Sequence, residues 1–371
     1  MTQSWSYKTI GDVCEIVNGA TPKTGTSAFW DGPHQWATPA EMGKRLTPYL
    51  DETSRSLTAA GLDSCSASPV PPHSVIMSSR APIGHLVINT VPMSFNQGCK
   101  GLVPRPELDH KFLYYYLFSK VAHLNELGTG ATFKELSAGS LKRVEIPVPP
   151  FPEQQRIVGI LDQSFEAIAK VKANAERNLF KTKTMLAEEL RTMLTAGREG
   201  WIRTTIGEQL TLQRGYDITK SEQRPGEIPV VSSSGIKSYH SDSKVRGPGV
   251  VIGRKGTLGS AFYIEGDFWP HDTSLYVKDF KGNNPKFVYY AFCGLNVKHL
   301  DSGTANPALN RNTVHALQVN WPPFGLQSEF CAYLDELCDG SGRLEALYSS
   351  KIQQFNDLKA SVLHQAFSGK L

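Results

Sequence analysis

The chain states one pattern twice. Trp5, Ile10-Gly11 and Asn18-Gly19 return, each 196 positions later, as Trp201, Ile206-Gly207 and Arg214-Gly215. Further in, Lys111-Phe112-Leu113-Tyr114-Tyr115 recurs as Lys286-Phe287-Val288-Tyr289-Tyr290, and Val148-Pro149-Pro150-Phe151 as Trp321-Pro322-Pro323-Phe324. Leu161-Asp162 is matched by Leu334-Asp335. A duplication of this extent restricts the fold to two copies of one module, and the function to two equivalent tasks.

Each copy has two textures. Residues 1–150 and 201–323 are rich in Gly, Pro, Ser and Thr, with β-branched runs such as Ser74-Val75-Ile76-Met77 and Gly249-Val250-Val251-Ile252 that read as strands between turns. Short amphipathic helices are expected near Lys111 to Ala122 and Lys286 to Cys293. Residues 151–200 and 324–371 differ: no proline occurs from Glu153 to Arg224 or after Pro323. Ile157, Leu161, Ile168, Leu186 and Leu190 lie at steps that share a helix face, as do Leu334, Leu337, Leu344, Ile352 and Phe355. A helix from Glu153 to Ala196 makes a rod of roughly 65 Å at ~1.5 Å per residue. Such a rod needs a partner for its stripe, so the two helices are expected to pair antiparallel in a coiled-coil-like manner. Gly340-Ser341-Gly342 predicts a break or bend in the second, since each glycine costs ~1 kcal/mol relative to alanine. The expected class is α+β: two pseudo-repeated globular α/β domains with two long antiparallel helices.

The 371 residues suffice for two cores, and a net charge of +4 permits a nucleic-acid partner without demanding one. No apolar run approaches the ~20 residues of a membrane span, and no signal segment is recognisable, so a cytoplasmic protein without a membrane partner is expected. Six scattered cysteines, with no C-x-x-C pair, read as free thiols rather than zinc ligands or disulfides. Residues 153–200 carry eight Lys/Arg against seven Asp/Glu, a solvated scaffold face; residues 210–260 carry eight against four, a local basic surface.

Ile146-Pro147-Val148-Pro149-Pro150-Phe151-Pro152-Glu153-Gln154-Gln155-Arg156-Ile157-Val158 and Ala366-Phe367-Ser368-Gly369-Lys370-Leu371 resemble the start of the first long helix and the end of the second in specificity subunits of type I restriction-modification systems. Arg80-Ala81-Pro82-Ile83-Gly84, Phe95-Asn96-Gln97-Gly98 and Gly128-Thr129-Gly130-Ala131-Thr132 resemble signatures of that family's target recognition domains. The second copy departs, with Phe324-Gly325-Leu326-Gln327-Ser328-Glu329 after its Pro-Pro pair and His271-Asp272-Thr273 in place of Asn96-Gln97-Gly98. The resemblance extends over essentially the whole chain, including its start at Met1 and its end at Leu371, which weigh against a truncated polypeptide.

The resemblance implies a non-catalytic, sequence-specific DNA-binding subunit. Each globular domain is expected to read half of a bipartite, asymmetric site in double-stranded DNA, while the helices act as spacer and dock methyltransferase subunits. Restriction-translocase subunits are a further expected partner. The whole complex is then expected to carry DNA adenine methyltransferase and ATP-dependent endonuclease activity in defence against foreign DNA. S-adenosylmethionine, ATP and Mg are expected on the partner subunits, with no cofactor or metal on this chain. Side chains with paired donors and acceptors read base edges and cations set register on phosphates. On that basis the first-domain candidates are Thr21, Lys23, Thr38, Arg80, Asn96, Gln97, Lys100, Thr132 and Lys134. In the second they are Arg214, Lys220, Ser232, Ser233, Lys237, Arg254, Lys255, His271, Asn306, Asn310 and Arg311, with Arg254-Lys255 aligned to Ser79-Arg80.

Catalytic patterns are missing where they would have to be. A methyltransferase acting on an exocyclic amine needs Asn or Asp before Pro-Pro-aromatic; Val148 and Trp321 stand there, and the prolines instead stiffen a strand-to-helix link. No phosphate-loop motif occurs. Glu107, Asp109 and Lys111 imitate a nuclease motif, but Asp109 aligns with Asn284, so a helix-start role fits both copies. The alternatives are the recognition portion of a fused restriction-methylation enzyme and an interaction scaffold without a DNA role.

Overall fold

The computed structural model describes residues 5–45, 47–80, 82–130, 134–295, 297–300 and 308–371, apart from the side chains of Leu186, Lys298 and His299. The chain divides into two compact units, Met1–Lys172 with Gln353–Leu371, and Ala173–Ile352. Two helices dominate the secondary structure, Phe151–Ala196 with 46 residues and Phe324–Phe367 with 44. Parts of each helix belong to both units.

In the first unit a five-stranded sheet runs in the order Cys14–Asn18, Cys99–Pro104, Val75–Ser79, Ile83–Asn89, Tyr49–Leu50. All its pairings are antiparallel except the last. A second sheet orders Ser56–Leu57, Trp30–Ala37 and Met93–Phe95, and Ser6–Thr9 pairs with Glu145–Val148 as a clasp at the base of the lobe. Every residue of the central strand Val75–Ser79 is buried. Successive side chains point to opposite faces, so Val75 and Met77 enter the core that Leu113, Ile157, Leu161, Leu363 and Ala366 share, while Ile76 enters a second core with Met42 and Phe95.

The second unit repeats this plan. Its larger sheet orders Thr211–Arg214, Ser274–Asp279, Gly249–Gly253 and Ala261–Ile264; its smaller one orders Gly235–His240, Ile228–Ser232 and Trp269–Pro270. Ile202–Thr205 pairs with Gln318–Trp321 as the clasp. Val250 and Ile252 face the core that contains Leu190, Leu194 and Leu334, and Val251 faces the other side. The smaller sheets even share their one parallel pairing, Trp30–Ala37 with Met93–Phe95 and Ile228–Ser232 with Trp269–Pro270.

Each lobe is fastened to the start of its long helix by one buried amide. Gln154 is fully buried: its Oε1 accepts from Asp109 N at 2.8 Å and its Nε2 donates to the Glu107 and Pro149 carbonyls, both at 2.9 Å. Gln327, equally buried, accepts from Asn284 N at 2.7 Å and donates to Asn283 Oδ1 at 2.7 Å and the Pro322 carbonyl at 3.2 Å. The second helix start therefore keeps the one glutamine whose contacts matter. Asp109 and Asn284 cap the short helices His110–Ser119 and Pro285–Gly294, each accepting from two backbone amides, so the acid at 109 has a structural role that asparagine performs equally well.

A second fastening joins those short helices to the long ones. Lys111 Nζ donates to Asp162 Oδ2 at 2.7 Å and Tyr115 to Asp162 Oδ1 at 2.6 Å; Lys286 donates to Asp335 Oδ2 at 2.7 Å and Tyr290 to Asp335 Oδ1. Burial works against the Asp335 charge, but hydrogen bonds from Lys286 and Tyr290 outweigh it and hold the carboxyl below its ordinary 3.8. Lys286 is held above 10.5, chiefly by its hydrogen bond to Asp335. The depressed carboxylate contributes stability present above its unfolded value and lost as pH falls through the folded one; the raised ammonium contributes stability present below 10.5 and lost as pH rises through its folded value. Both side chains are about two-fifths exposed, so screening keeps the effect small. Asp335→Asn is expected to flatten the acid slope of urea unfolding between about pH 2 and 5. An unchanged slope contradicts this assignment.

The helices run antiparallel within each unit. In the first, Arg156 donates to the Leu371 carbonyl at 2.8 Å and Lys172 to Asn356 Oδ1 at 2.9 Å, with Ile157, Leu161 and Ile168 buried and Phe355 half-buried. In the second, Leu190 and Leu334 are buried, Leu337 and Ile352 half-buried, and Ser341 Oγ donates to the Thr182 carbonyl at 3.4 Å. Two expectations fail here. Residues 340–342 continue the helix without a break, the long helical stretches before and after them carrying the two glycines despite their propensity cost. Leu344, expected in the seam, is 44 % exposed, because a Cβ at Gly340 or Gly342 would meet nothing within 4 Å and the facing surfaces stay open. The side chain of Leu186 lies outside the described part of the structure.

Candidate nucleic-acid interface

Several candidate readers collect where the edge strand of each larger sheet, Cys14–Asn18 and Thr211–Arg214, runs into a glycine. Gly19 N donates to the Cys99 carbonyl at 3.2 Å and Ala20 N to the Phe95 carbonyl at 3.0 Å; Gly215 N donates to the Ser274 carbonyl at 3.0 Å and Tyr216 N to the Pro270 carbonyl at 2.8 Å. A Cβ on Gly19 would lie 2.0 Å from the Asn96 carbonyl oxygen, and one on Gly215 2.2 Å from that of His271. Only glycine lets the strand end press against the turns 96–98 and 271–273.

In the first lobe this corner is neutral. Asn96 Nδ2 donates to Thr21 Oγ1 at 3.1 Å, the Thr21 hydroxyl donates to Gln97 Oε1, and Asn96 Oδ1 accepts from Gly98 N at 2.8 Å. Gln97 is exposed. The Arg80 side chain lies over Gly98, whose Cβ would sit 3.0 Å from Nε, and its guanidinium faces Glu135 at 3.8 Å.

In the second lobe the same corner is charged. Arg214 donates to Asp272 Oδ2 at 2.9 Å and Arg254 Nη1 to the Asp272 carbonyl at 3.2 Å, while the buried His271 ring holds Thr273 Oγ1 at 3.0 Å. Burial and the nearby Arg214 lower the Arg254 pKa from its ordinary value. Asp217 stands beside them, with ligand-type atoms of Asp217, His271 and Asp272 all within 4.8 Å of one another. Arg214 already occupies the Asp272 carboxylate, so a metal would have to displace a guanidinium. Asp217 and Asp272 were not among the candidate readers, which are cations, amides, hydroxyls and an imidazole; their alignment with Thr21 and Gln97 in the repeat was the available signal.

The alignment of Arg254-Lys255 with Ser79-Arg80 has a geometric counterpart. Ser79 N donates to the Gly98 carbonyl and Leu136 N to the Ser79 carbonyl; Arg254 N donates to the Thr273 carbonyl and Leu309 N to the Arg254 carbonyl. Lys23, Lys134, Lys220, Lys237, Lys255 and Arg311 are exposed and suited to phosphate contacts.

Other candidates have local work. Thr38 caps the helix Pro39–Met42 and the exposed Asn310 caps Arg311–His315. Ser232 and Ser233 are buried, Ser232 Oγ donating to the Gly235 carbonyl at 3.0 Å and Ser233 N to Thr273 Oγ1 at 3.4 Å, so they shape the corner from beneath. Lys100 is 7 % exposed on the strand Cys99–Pro104, opposite Asn18, because that strand lies inside the sheet. Thr132 and Asn306 lie outside the described residues. All six cysteines are free; burial pushes the Cys14 and Cys99 thiols up to about 12, which keeps them protonated. Among the described residues no helix is long and apolar enough to cross a membrane.

The helix pair of the second unit carries a groove of about 760 Å³ whose lining includes Met185, Tyr333, Leu337, Gly340, Leu344 and Leu347. Met185 is 69 % exposed, and Glu189, Glu336 and Arg343 also line the groove.

Comparison with known proteins gives a consistent set of similarities. A family model described as the type I restriction modification DNA specificity domain matches residues 2–177 and again 198–353. The specificity subunit of type I restriction enzyme MjaIX from Methanocaldococcus jannaschii is 32 % identical over 176 residues, which cover 47 % of this chain and 41 % of that protein. The EcoprrI specificity subunit of Escherichia coli is 25 % identical over 351 residues, 88 % of this chain and 86 % of that one. A solved chain from work on complex assembly and conformational transition of the type I R-M system superposes with a TM-score of 0.81 at 16 % identity, covering 99 % of this chain and 98 % of its own. The HsdS subunit of Thermoanaerobacter tengcongensis gives 0.61 at 15 %, covering 100 % and 98 %.

Proposed function

This chain belongs to the type I restriction-modification DNA specificity family, and from that premise we propose that each of its lobes reads one part of a bipartite, asymmetric site in double-stranded DNA. The observation that carries this reading is the repeated lobe: one order of four strands in the larger sheet and one pair of helix fastenings occur twice, while the side chains at the exposed corner differ. Two lobes with one backbone and two sets of donors and acceptors suit two unlike half-sites. Exposed cations on each lobe supply the register on phosphates.

The chain contributes recognition, and the chemistry belongs to its partners. Methyltransferase subunits dock on the long helices; restriction-translocase subunits join the complete complex. S-adenosylmethionine, ATP and Mg bind there, and adenine methylation and ATP-dependent cleavage are activities of the assembly. The work is done in the cytoplasm, where the DNA is. The groove at Met185 and Leu344 supports helix docking, since an apolar patch with charged neighbours is a common mark of a protein contact.

Two measurements test these assignments. Met185→Asp combined with Leu344→Asp changes exposed residues only, so the chain is expected to fold normally and to lose co-purification with its methyltransferase. Retained co-purification contradicts docking at this groove. Binding of the reconstituted methylating complex to duplexes altered in one half-site at a time is expected to respond to Arg80→Ala in the first half-site alone. The same effect in both half-sites contradicts the division between lobes.

A further inference from the structure

We propose that Arg214, clamped by Asp272, is the guanine-reading residue of the second lobe, and that in the first lobe the exposed Gln97 amide, at the position matching Asp272, is an adenine reader. This assignment rests on the DNA-reading role proposed above and gives it atoms. The two corners share their backbone. Glycine presses on the turn in each, the same two strand-to-turn hydrogen bonds follow it, and Asn18 and Arg214 occupy the same rung of the ladder, opposite Lys100 and Leu275. Against that common frame Thr21, Asn96 and Gln97 are exchanged for Asp217, His271 and Asp272. A difference confined to side chains on a shared frame changes what is read while keeping how the lobe docks.

Charge decides what Arg214 is for. The guanidinium is more than half exposed but donates to a carboxylate that is only 16 % exposed, with the exposed Asp217 beside that carboxylate. The Asp272 carboxylate offsets the charge of the guanidinium it holds and repels a phosphate. What remains is a planar fork of donors, held in one orientation with N–H groups to spare, which matches the paired O6 and N7 acceptors of guanine. Asp272 here is a positioning residue. In the first lobe the Thr21 hydroxyl donates to Gln97 Oε1, fixing the amide so that Nε2 can donate and Oε1 can accept once more, the pattern that adenine N7 and N6 require.

The test uses the methylating complex with full-length chain and a set of duplexes in which every base pair of both half-sites is varied singly. Arg214→Ala is expected to remove about 10- to 100-fold of discrimination at one G·C pair of the second half-site. Preference elsewhere and the slope of affinity against salt should stay unchanged. Arg214→Lys should not restore the discrimination, since an ammonium lacks the fork. Asp272→Asn should weaken discrimination at the same pair, and Gln97→Ala should act on one A·T pair of the first half-site. Lys220→Ala, an exposed cation suited to a phosphate contact, should lower binding to all duplexes alike with a shallower salt slope. A uniform loss with Arg214→Ala, or no loss of discrimination, overturns the assignment while leaving the bipartite reading intact. Failure of the unaltered complex to prefer any two-part site overturns the reading on which it rests.

Discussion

Leu190→Pro is expected to unfold the second unit. Leu190 is 3 % exposed and belongs to the same core as Val250, Val288 and Leu334, with its Cβ packed against Gly294, where an added Cβ would approach to 2.5 Å. Proline within a helix costs ~3 kcal/mol or more, and loss of a buried leucine adds roughly 2–5 kcal/mol. Together these consume most of the roughly 5–15 kcal/mol that holds a domain folded. Limited proteolysis should then cut freely between residues 201 and 323 while residues 5–130 stay protected. A normally protected second lobe would show that the helix is merely a spacer there. The long-helix stripe suggests such a spacer, and the burial of Leu190 and Leu194 in the lobe's own core overrules it.

Gln327→Ala should be nearly as damaging for so small a change. It removes a fully buried amide and leaves Asn284 N and the Pro322 carbonyl without their partner, while Asn283 Oδ1 keeps only Trp321 Nε1. A buried polar group deprived of its hydrogen bond costs about 1–3 kcal/mol, so a loss of roughly 3 kcal/mol or more is expected in urea unfolding. Gln154→Ala should do the same to the first unit through Asp109 N and the Glu107 and Pro149 carbonyls. A loss below ~1 kcal/mol in both would show that water replaces the amide and that the fastening is dispensable.

Much of this architecture was legible in the residues. The repeat offsets, the proline-free stretches and the apolar spacing lead directly to two lobes and two long helices, the first expected from Glu153 and beginning at Phe151. Spacing alone could not reveal which helix positions a lobe would claim, as Leu190 shows, or which would be left open, as Leu344 shows. Both depend on what lies opposite. The corner was half legible. Asn96, Gln97, Arg214 and His271 stand out as donors and acceptors, whereas Asp272 is invisible to a search for cations, because its importance lies in the arginine it holds. Lys100 illustrates the reverse error: a basic residue at the right place in the repeat, yet buried inside a sheet.

The central claim is that two lobes read two different half-sites. Single-molecule methylome sequencing of a host that expresses this chain with its methyltransferase tests it most directly. The expected result is one modified motif made of two unequal specific parts separated by a fixed run of unspecified bases, with the parts centred about one helical turn, ~10 bp, apart. A single uninterrupted motif, or a palindrome read identically by both lobes, would contradict it.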